Sequence, residues 1–592
     1  MEIDNAPDLA DLLGAMESED ALVRDAALEW LVSASWREDD LAAATARAVP
    51  ELARLARELP DHRAELLVLL SDLADRDDWP DATAPARREV AAELPSLLPF
   101  AEDPDPAVRD AVLPLLVACR HRGAVPLLRD RLARESDPAV RGHTVTALAL
   151  LEPDRSGWRR ALLTDPAPGI RLAAAEDLLR TAEPPFPDDL VDVCAQAYAA
   201  DPHELDEAYW APAPHRRFTE RLLDDPDAAV RATAGGVPLA FEVTGRWRDR
   251  ETDVLPYALR DLEKGDGDLY ALARLTCALP AELRAPVRDR VRPRLDGDLD
   301  ERAAAITVLA RAHAPEAIEE TIRLVDGAPG PSGGYGLTRA VHAVADAFGA
   351  DALPVARAVA RRIGHTHADV LRVLGRYPEV ATGVVDEIAA LVPRYEGGHA
   401  WAAIAVLGEL GPAAGEVAVR ALRDEVTRGD HPSVAVYAAE AHHRVGGDPA
   451  LALSALDRKG PERFPELTAR LGAAGAPLLP RLEPLLAPGH PAGTRAAVAR
   501  AVWRITGRIE DTVEPLARRA AAADAHHTER LASVTALTET GLLPRFALTS
   551  LRATAEAPGR AVHDLSAGSG PHPDYRLRSA VRTLLATAHV VD

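Results

Sequence analysis

The sequence predicts an all-α protein, an α-α superhelix in which antiparallel helix pairs stack side by side. The chain has 592 residues, which is too long for one compact core and favours several domains or an elongated array. Hydrophobic residues make up 47% of it but aromatic residues only 4%, and alanine, leucine, valine and arginine dominate. This composition favours helices over strands. In addition, one helix-start motif recurs along the chain at nearly even spacing.

Residues 123–151 show one repeating unit of the predicted fold. The apolar stripe of a first helix consists of Val125, Leu128 and Leu132, and that of a second helix consists of Val140, Thr144, Ala147, Leu148 and Leu151. Between the two stripes, Asp137 stands where an N-cap is expected. Pro138 follows at the first helical position, where a missing N–H costs nothing. The unit is therefore predicted to be helix, short turn, helix.

The Asp-Pro-x-Val-Arg motif that starts the second helix gives the length of the repeat. Its apolar residue falls at Val108, Val140, Ile170 and Val230, with gaps of 32, 30 and 60 residues, the last spanning two units. Further copies are predicted at 20–32, from Gly489 and from His572, and another unit begins at His399, with a stop at Gly411. A hairpin of about 30 residues cannot bury its own apolar stripes, so neighbouring units must stack into a solenoid.

The motif resembles the HEAT repeat family, in the short bacterial form also called phycobilisome-lyase-like repeats. The matching strings are residues 105–112, 137–144 and, more loosely, 227–234, and the resemblance extends over roughly residues 20–590. It implies a HEAT-repeat solenoid with a structural ladder of Asp and Arg along the inside of the stack. The arginines that correspond to this ladder are Arg24, Arg109, Arg141, Arg171, Arg231 and Arg495. The functional alternative is that these arginines form an anion-binding row.

Interruptions of the repeat suggest five segments. The predicted segments are N-terminal repeats at 1–180, an irregular Pro- and aromatic-rich repeat or insertion at 181–222, middle repeats at 223–326, a Gly/Pro loop at 327–336, and C-terminal repeats at 337–592 with a long loop at 556–575.

Charge and cysteine content indicate an acidic protein of a reducing compartment. The net charge is −25, and residues 1–40 contain 12 acidic residues and two arginines, so neither nucleic acid nor a membrane is an expected partner. The three cysteines are far apart and form no CxxC motif, and the acidic N-terminus is not a signal peptide. We therefore expect a cytoplasmic location with free thiols.

The sequence favours no enzymatic chemistry, metal or cofactor. HEAT-repeat di-iron hydroxylases need several His-Glu pairs, and this chain has one, His203-Glu204. Nothing marks the tetrapyrrole pocket of a phycobilin lyase. The alternative function is a HEAT-fold nucleic-acid-binding protein or one resembling the alkylpurine DNA glycosylases, with a basic-aromatic patch at 245–251. The residues of this patch are Arg246, Trp247, Arg248 and Arg250.

The favoured function is a non-enzymatic scaffold that binds another protein. Two tryptophans near the N-terminus stand beside a run of acids and suggest a surface for a basic partner; these residues are Trp30, Trp36, Glu38, Asp39 and Asp40. The simpler alternative is that Trp30 belongs to the core stripe of its helix and that the acids form a solvated cap. A second candidate surface surrounds Tyr209 and Trp210 in the irregular segment. Which surface binds, and the oligomeric state, stay open at this point.

Overall fold

The computed structural model confirms the predicted all-α solenoid. It describes residues 9–35, 39–74, 80–152, 157–200, 214–265, 267–328, 334–395, 398–429, 431–562 and 570–591. The chain divides into two compact units, Met1–Leu239 (unit 1) and Ala240–Asp592 (unit 2). The predicted Gly/Pro loop at 327–336 falls within the residue range of unit 2.

Unit 1 is a stack of helices around one main apolar core. Its helices are α1 Leu9–Ala15, α2 Ala21–Ser35, α3 Asp39–Glu58, α4 Arg63–Ala74, α5 Pro80–Leu97, α6 Pro106–Ala118, α7 Val125–Arg134, α8 Pro138–Leu151, α9 Gly157–Leu162, α10 Pro168–Thr181, α11 Asp188–Ala200, α12 Pro214–Leu222 and α13 Pro226–Ala234. Helices α4, α6, α8 and α10 pack side by side in one layer, and the core between the layers runs from α1 to α8.

Unit 2 continues the same architecture. Its helices are α14 Ala240–Arg246, α15 Glu251–Lys264, α16 Leu269–Ala278, α17 Arg284–Val291, α18 Leu299–Arg311, α19 Glu316–Gly327, α20 Gly334–Phe348, α21 Leu353–Arg361, α22 Ala368–Leu371, α23 Pro378–Ala381, α24 Val385–Ala389, α25 His399–Leu410, α26 Gly415–Arg428, α27 Pro432–Gly446, α28 Ala450–Lys459, α29 Pro465–Arg470, α30 Leu479–Leu482, α31 Ala492–Thr506, α32 Val513–Ala521, α33 His527–Thr540, α34 Leu548–Glu556 and α35 Pro573–Thr587. Two short strands, β1 Leu542–Pro544 and β2 His589–Val591, pair in parallel near its end.

One layer of unit 2 is continuous along the whole unit. We call it layer A; each of its helices packs against the next, and its members are α16, α18, α20, α22, α25, α27, α29, α31, α33 and α35. The helices between them, such as α19, α21, α26 and α32, form the second layer. The N-terminal ends of the layer A helices form one edge of the layer, which we call the rim.

The Asp-Pro motif starts its helices in the predicted way. The carboxylate of Asp137 accepts hydrogen bonds from the backbone N–H groups of Ala139 and Val140, and Pro138 is the first residue of α8. Asp105 caps α6 in the same manner. The motif satisfies donors that a helix leaves unpaired at its start, which fixes where each second helix begins.

A long apolar stretch, His399–Arg428, is a pair of core helices in this fold. Among the described residues it alone has the length and composition to cross a membrane, with a mean hydropathy of 1.4, and half of the tested window is buried inside the protein. Gly411 and Gly415 adopt positive φ values of 55° and 67° and separate α25 from α26. The predicted stop at Gly411 is therefore confirmed, and both helices pack against α27.

The recurrent arginines bond mainly to the turns and to acids of other helices. Arg24, Arg109 and Arg171 each donate to the carbonyl six residues earlier, at 2.7, 2.9 and 2.8 Å. Arg141 donates to the Asp165 carboxylate at 2.7 Å, Arg231 to Asp192 at 2.6 Å, and Arg495 to the Leu486 carbonyl at 3.0 Å. The bonds of Arg24, Arg109 and Arg171 thus hold the turn that precedes their own helix, whereas Arg231 pairs with an acid inside α11.

Arg109 makes the most buried of these contacts, with the carboxylate of Glu135. The Glu135 side chain is fully buried and also accepts hydrogen bonds from Arg131 and from the backbone N–H of Asp137. Burial by itself would raise the pKa of Glu135, but the hydrogen bonds from Arg109, Asp137 and Arg131 outweigh it and lower the pKa to about 2.

We predict that Glu135→Gln removes an acid-sensitive part of the stability of unit 1. Because the folded pKa of Glu135 is about 2, below its ordinary value, the charged form stabilises the fold above pH about 4.5. This contribution is lost as the pH falls through the folded pKa. The difference in melting temperature between native protein and variant should therefore be full at pH 7 and shrink below pH about 4.5. Glu102→Gln, at an exposed ion pair, is the control; a difference that does not change with pH would contradict the prediction.

Candidate functional site

Most of the predicted N-terminal and irregular-segment surfaces lie outside what the structure describes. Trp36 and Glu38, and the side chains of Asp39 and Asp40, are outside the described residues, as are Tyr209 and Trp210. Trp30 is described: it is half-buried in α2 and packs against the core of unit 1. The structure thus places Trp30 in the core stripe of its helix, which was the simpler of the two interpretations.

The predicted basic-aromatic patch is corrected by the position of Arg248. Its guanidinium is 1% exposed and donates to both oxygens of Asp574, at 2.7 and 2.8 Å, and to the carbonyls of Ala557 and Thr554. Arg250 pairs with Asp253 at 3.0 Å, while Arg246 is exposed. The sequence could not show that a carboxylate more than 300 residues away would neutralise Arg248.

A second set of contacts joins the same two segments of unit 2. The guanidinium of Arg560 donates to Glu251 at 2.5 Å and to the carbonyl of Thr244, and the hydroxyl of Tyr575 donates to Glu251 at 2.6 Å. Backbone hydrogen bonds add an isolated antiparallel bridge between Trp247 and Gly559. We call Arg248, Glu251, Arg560, Asp574 and Tyr575 the clasp, because they connect the first helices of unit 2 to its last.

Burial and charge shift the titration of the clasp. Burial alone would raise the pKa of Asp574, but hydrogen bonds from Arg248 and from the backbone of Ala561 hold it below its ordinary value. Burial, together with the charge of Glu251, raises the pKa of Tyr575 to about 12. At neutral pH Asp574 is therefore charged and Tyr575 is protonated, and the buried contacts of Arg248 and Glu251 give these two residues a structural role.

Aromatic rings in contact with one another form a continuous row on the rim of layer A. Trp401 in α25 meets Tyr437 in α27 edge to face, with ring centroids 4.9 Å apart, and Tyr437 meets Phe464, which directly precedes α29, at 6.3 Å. We call Trp401, Tyr437 and Phe464 the aromatic row. His431 lies beside it, 6.2 Å from Trp401. The row spans three neighbouring layer A helices.

Tyr437 is the exposed member of the aromatic row, whereas Trp401 and Phe464 are half-buried. Tyr437 is 39% exposed, although residues on either side of it, such as Val436 and Ala438, are buried. Trp401 is likewise surrounded in sequence by buried alanines. Because the helices beneath are packed into the core, the rings are held in place before any partner arrives. Such pre-ordered aromatic side chains lose little entropy on binding.

Further aromatic residues occupy the rim on both sides of the row. Tyr270 is the second residue of α16 and lies under the guanidinium of Arg339, 4.4 Å from its ring centroid. Tyr335 is the second residue of α20, is 74% exposed and lies 5.9 Å from the ring of His367. With Tyr575 in α35, these residues show that aromatic side chains recur at the start of layer A helices.

A cavity interrupts this pattern between α31 and α33. Its volume is about 200 Å³, and its floor and walls include Gly493, Ala496, Ala497 and Ala532. Two ion pairs flank it: Arg500 with Glu466 at 2.9 Å, and Arg519 with Glu529 at 2.6 Å. We call this cavity the rim pocket.

Metal ligands and cysteines were the other groups of interest among the described residues. They contain no group of three or more His, Cys, Asp or Glu side chains placed to hold a metal ion. Cys119, Cys194 and Cys277 are not in disulfides. Burial raises the pKa of Cys194 and Cys277, which keeps these thiols protonated and poorly nucleophilic. The aromatic row and the rim pocket can bind a partner through shape, aromatic surface and charge.

The sequence interpretation missed the aromatic row. Its members lie 36 and 27 residues apart, close to the repeat length, in a chain with only 4% aromatic residues. Recurrence of a rare residue type at the repeat spacing was the available signal. The sequence did not show how α25, α27 and α29 are oriented relative to one another, and this orientation brings the three rings together.

Comparison with known proteins supports the repeat assignment. Residues 94–157 match the family described as HEAT repeats, which confirms the predicted HEAT resemblance. No curated protein matches the sequence. Among solved structures, Kap121p gives a TM-score of 0.45 at 13% identity, covering 98% of this chain and 78% of that chain. The karyopherin Kap121p bound to the SUMO protease Ulp1p gives a TM-score of 0.44 at 13% identity, covering 98% and 77%. A structure of Kap95p, whose binding induces the switch loops of RanGDP to adopt the GTP-bound conformation, gives 0.41 at 12% identity, covering 98% and 88%.

Proposed function

We propose that this HEAT-repeat solenoid is a non-enzymatic, cytoplasmic scaffold that binds a segment of another protein along the rim of unit 2. The observation that carries the proposal is the aromatic row, in which Tyr437 of α27 contacts both Trp401 of α25 and Phe464 just before α29. Aromatic side chains are enriched where proteins bind one another, and here a partly exposed Tyr437 lies between two half-buried rings.

The layout of the row suggests an extended partner segment. Successive layer A helices lie about 10 Å apart, so the row runs across the helices, not along one of them. An extended chain covers about 3.3 Å per residue, and every third residue of it would meet the next helix of the layer. A partner bound in this way gains affinity from several rings in turn, as in other repeat proteins with long binding surfaces.

The charge of the chain favours a basic partner. Unit 1 contains 47 acidic and 25 basic residues, a net charge of −22, whereas unit 2 contains 46 and 43, a net charge of −3. A charge of this size raises the local concentration of a basic protein and speeds its association. In this proposal, the acidic residues Glu38, Asp39 and Asp40 contribute to the attraction, and the aromatic row supplies the contact that holds the partner.

The experiment is affinity capture from the native host with the full chain, followed by mass spectrometry and binding kinetics. We predict that the double variant Trp401→Ala, Tyr437→Ala loses the captured protein, with a dissociation rate raised about 10-fold or more, because desolvated aromatic anchors act after contact. Association should slow as salt rises, in both the native chain and the variant, since unit 1 keeps its charge.

The matched control is Phe546→Ala. Phe546 is 50% exposed and lies under the guanidinium of Arg518, outside the row. Loss of an exposed aromatic residue there should leave binding unchanged. If the captured protein binds the Trp401/Tyr437 variant and the Phe546 variant equally well, the rim of unit 2 is not the binding surface.

A further inference from the structure

Six of the ten layer A helices carry an aromatic residue in or just before their first two turns, and the rim pocket lies between two that carry none, α31 and α33; α18 and α22 also carry none. Aromatic residues stand at the second position of α16 and α20, the third of α25 and α35 and the sixth of α27, and Phe464 directly precedes α29. The first two turns of α31 and α33 contain no Phe, Tyr or Trp.

Small residues take the place of the missing rings. Gly493 is the second residue of α31, Ala496 and Ala497 are its fifth and sixth, and Ala532 is the sixth residue of α33. They line the cavity of about 200 Å³, whose base is closed by the buried side chain of Leu516. The pocket therefore has an apolar floor and room for one large side chain.

The rim pocket is also continuous with the aromatic row. Pro465 and Glu466 form its nearest wall, and Phe464, the last member of the row, directly precedes them in the chain. A segment that crosses Trp401, Tyr437 and Phe464 reaches the pocket at the next helix of the layer. The proposed binding surface thus ends in a cavity and not in a flat surface.

We propose that the rim pocket receives one aromatic side chain of the partner segment, at a place between α31 and α33 where the chain itself carries no ring. This inference rests on the proposed function and names the anchor residue of the partner. A ring placed in the pocket contacts the buried side chain of Leu516, so it is the partner residue on which we expect affinity to depend most.

The charged groups at the pocket favour a ring over other side chains. Arg500 and Arg519 stand at its walls, and the positive guanidinium groups complement the negative face of an aromatic ring. The same pairing occurs elsewhere in this unit, where Arg504 lies 5.0 Å from the ring centroid of Trp503 and Arg339 lies 4.4 Å from that of Tyr270. An aliphatic side chain would gain from burial alone.

An anionic group fits the pocket less well. Glu466 and Glu529 already accept hydrogen bonds from Arg500 and Arg519, so both arginines have a counter-charge at the pocket. A phosphate or carboxylate bound there would lie beside the two carboxylates, at a cost in repulsion. A neutral ring leaves both ion pairs intact.

The test uses a library of linear peptides displayed on phage and selected against the full chain. We expect the enriched peptides to share one Phe, Tyr or Trp. In a synthetic peptide of this set, replacing that residue by alanine should weaken binding about 10-fold or more, and replacing it by leucine should weaken it several-fold.

Variants of the chain test whether the aromatic ring of the peptide lies in the rim pocket. Ala497→Phe supplies the missing ring from α31 itself, so the aromatic-to-alanine change in the peptide should then alter binding less than about 2-fold. Ala532→Phe fills the pocket from α33 and replaces the first variant in this test if that variant folds poorly. Ala532→Ser leaves the pocket open and is the control. Circular dichroism verifies the fold of each.

The outcomes separate the two proposals. Peptides that depend on Trp401 and Tyr437 but not on an aromatic residue of their own overturn the pocket inference and leave the proposed function standing. Peptides whose aromatic residue matters equally in the native chain and in the filled-pocket variants also overturn it. If no enriched peptide depends on Trp401 and Tyr437, both proposals fail.

Discussion

Replacing Asp574 by alanine is expected to destabilise unit 2 by about 3–5 kcal/mol. The guanidinium of Arg248 is buried and has Asp574 as its carboxylate partner, at 2.7 and 2.8 Å. Without Asp574, the charge of Arg248 would stay in the interior with only carbonyl oxygens to balance it. Removing one member of a buried ion pair is costly for this reason, far more than removing both.

The loss should be confined to the two segments that the clasp joins. Hydrogen exchange on the full chain measures the free energy of local opening, and protection should fall in α14, α15, α34 and α35 first. A solenoid opens most readily from its end repeats, because these have a neighbour on one side only. The clasp gives the end helices of unit 2 a second neighbour, and Asp574→Ala takes it away.

Two further variants test whether the loss of stability comes from the unpaired charge of Arg248. Glu539→Ala removes an exposed ion pair with Arg504 and should change stability by less than about 1 kcal/mol. The double variant Arg248→Met, Asp574→Leu removes both charges and should recover most of the loss. If Asp574→Ala leaves exchange in α14 and α35 at the native level, the clasp does not hold the ends of unit 2 together.

Replacing Asp177 by alanine is expected to cost unit 1 a comparable amount, about 3–5 kcal/mol. Arg159 in α9 is completely buried and pairs with the Asp177 carboxylate of α10. The same guanidinium donates to the carbonyl of Glu152 at 2.7 Å, at the end of α8. The pair therefore ties three consecutive helices, and without Asp177 a buried positive charge loses its counter-charge.

The matched control for Asp177 is Asp130→Ala. Asp130 forms an ion pair with Arg134 in which both side chains are more than half exposed, so its removal should alter stability by less than about 1 kcal/mol. Urea unfolding followed by circular dichroism compares the two variants. Equal midpoints would mean that burial adds nothing to the Arg159 pair and would contradict the prediction.

Local sequence patterns were sufficient for the fold class and for many helix starts. Asp137 caps α8 and Pro138 begins it, as predicted. Gly411 follows the last residue of α25, which is also the predicted end of that helix. Such features depend on residues within one turn of each other: a carboxylate that caps its own helix, a proline that lacks an N–H, a glycine that accepts positive φ. The stripes of apolar residues then require the helices to pair and stack.

Partners of charged residues could not be predicted in the same way. Arg248 stands in a run that is typical of a phosphate-binding patch, yet its partner is Asp574, 326 residues away. Trp30 stands beside a run of acids that is typical of a docking surface, yet it packs against the core. In both cases the side chain's role depends on which distant element lies next to it.

The sequence by itself determined that this chain is a stack of antiparallel helix pairs, because helix periodicity, capping and the repeat length depend on residues that are close together in the chain. Only the tertiary structure decided that Trp401, Tyr437 and Phe464 touch, that a pocket opens beside Ala497, and that the ends of unit 2 meet in a clasp. The physical reason is that these features depend on the small rotation from each repeat to the next, which accumulates along the stack. That rotation is set by the packing of many side chains at once, and no single motif encodes it.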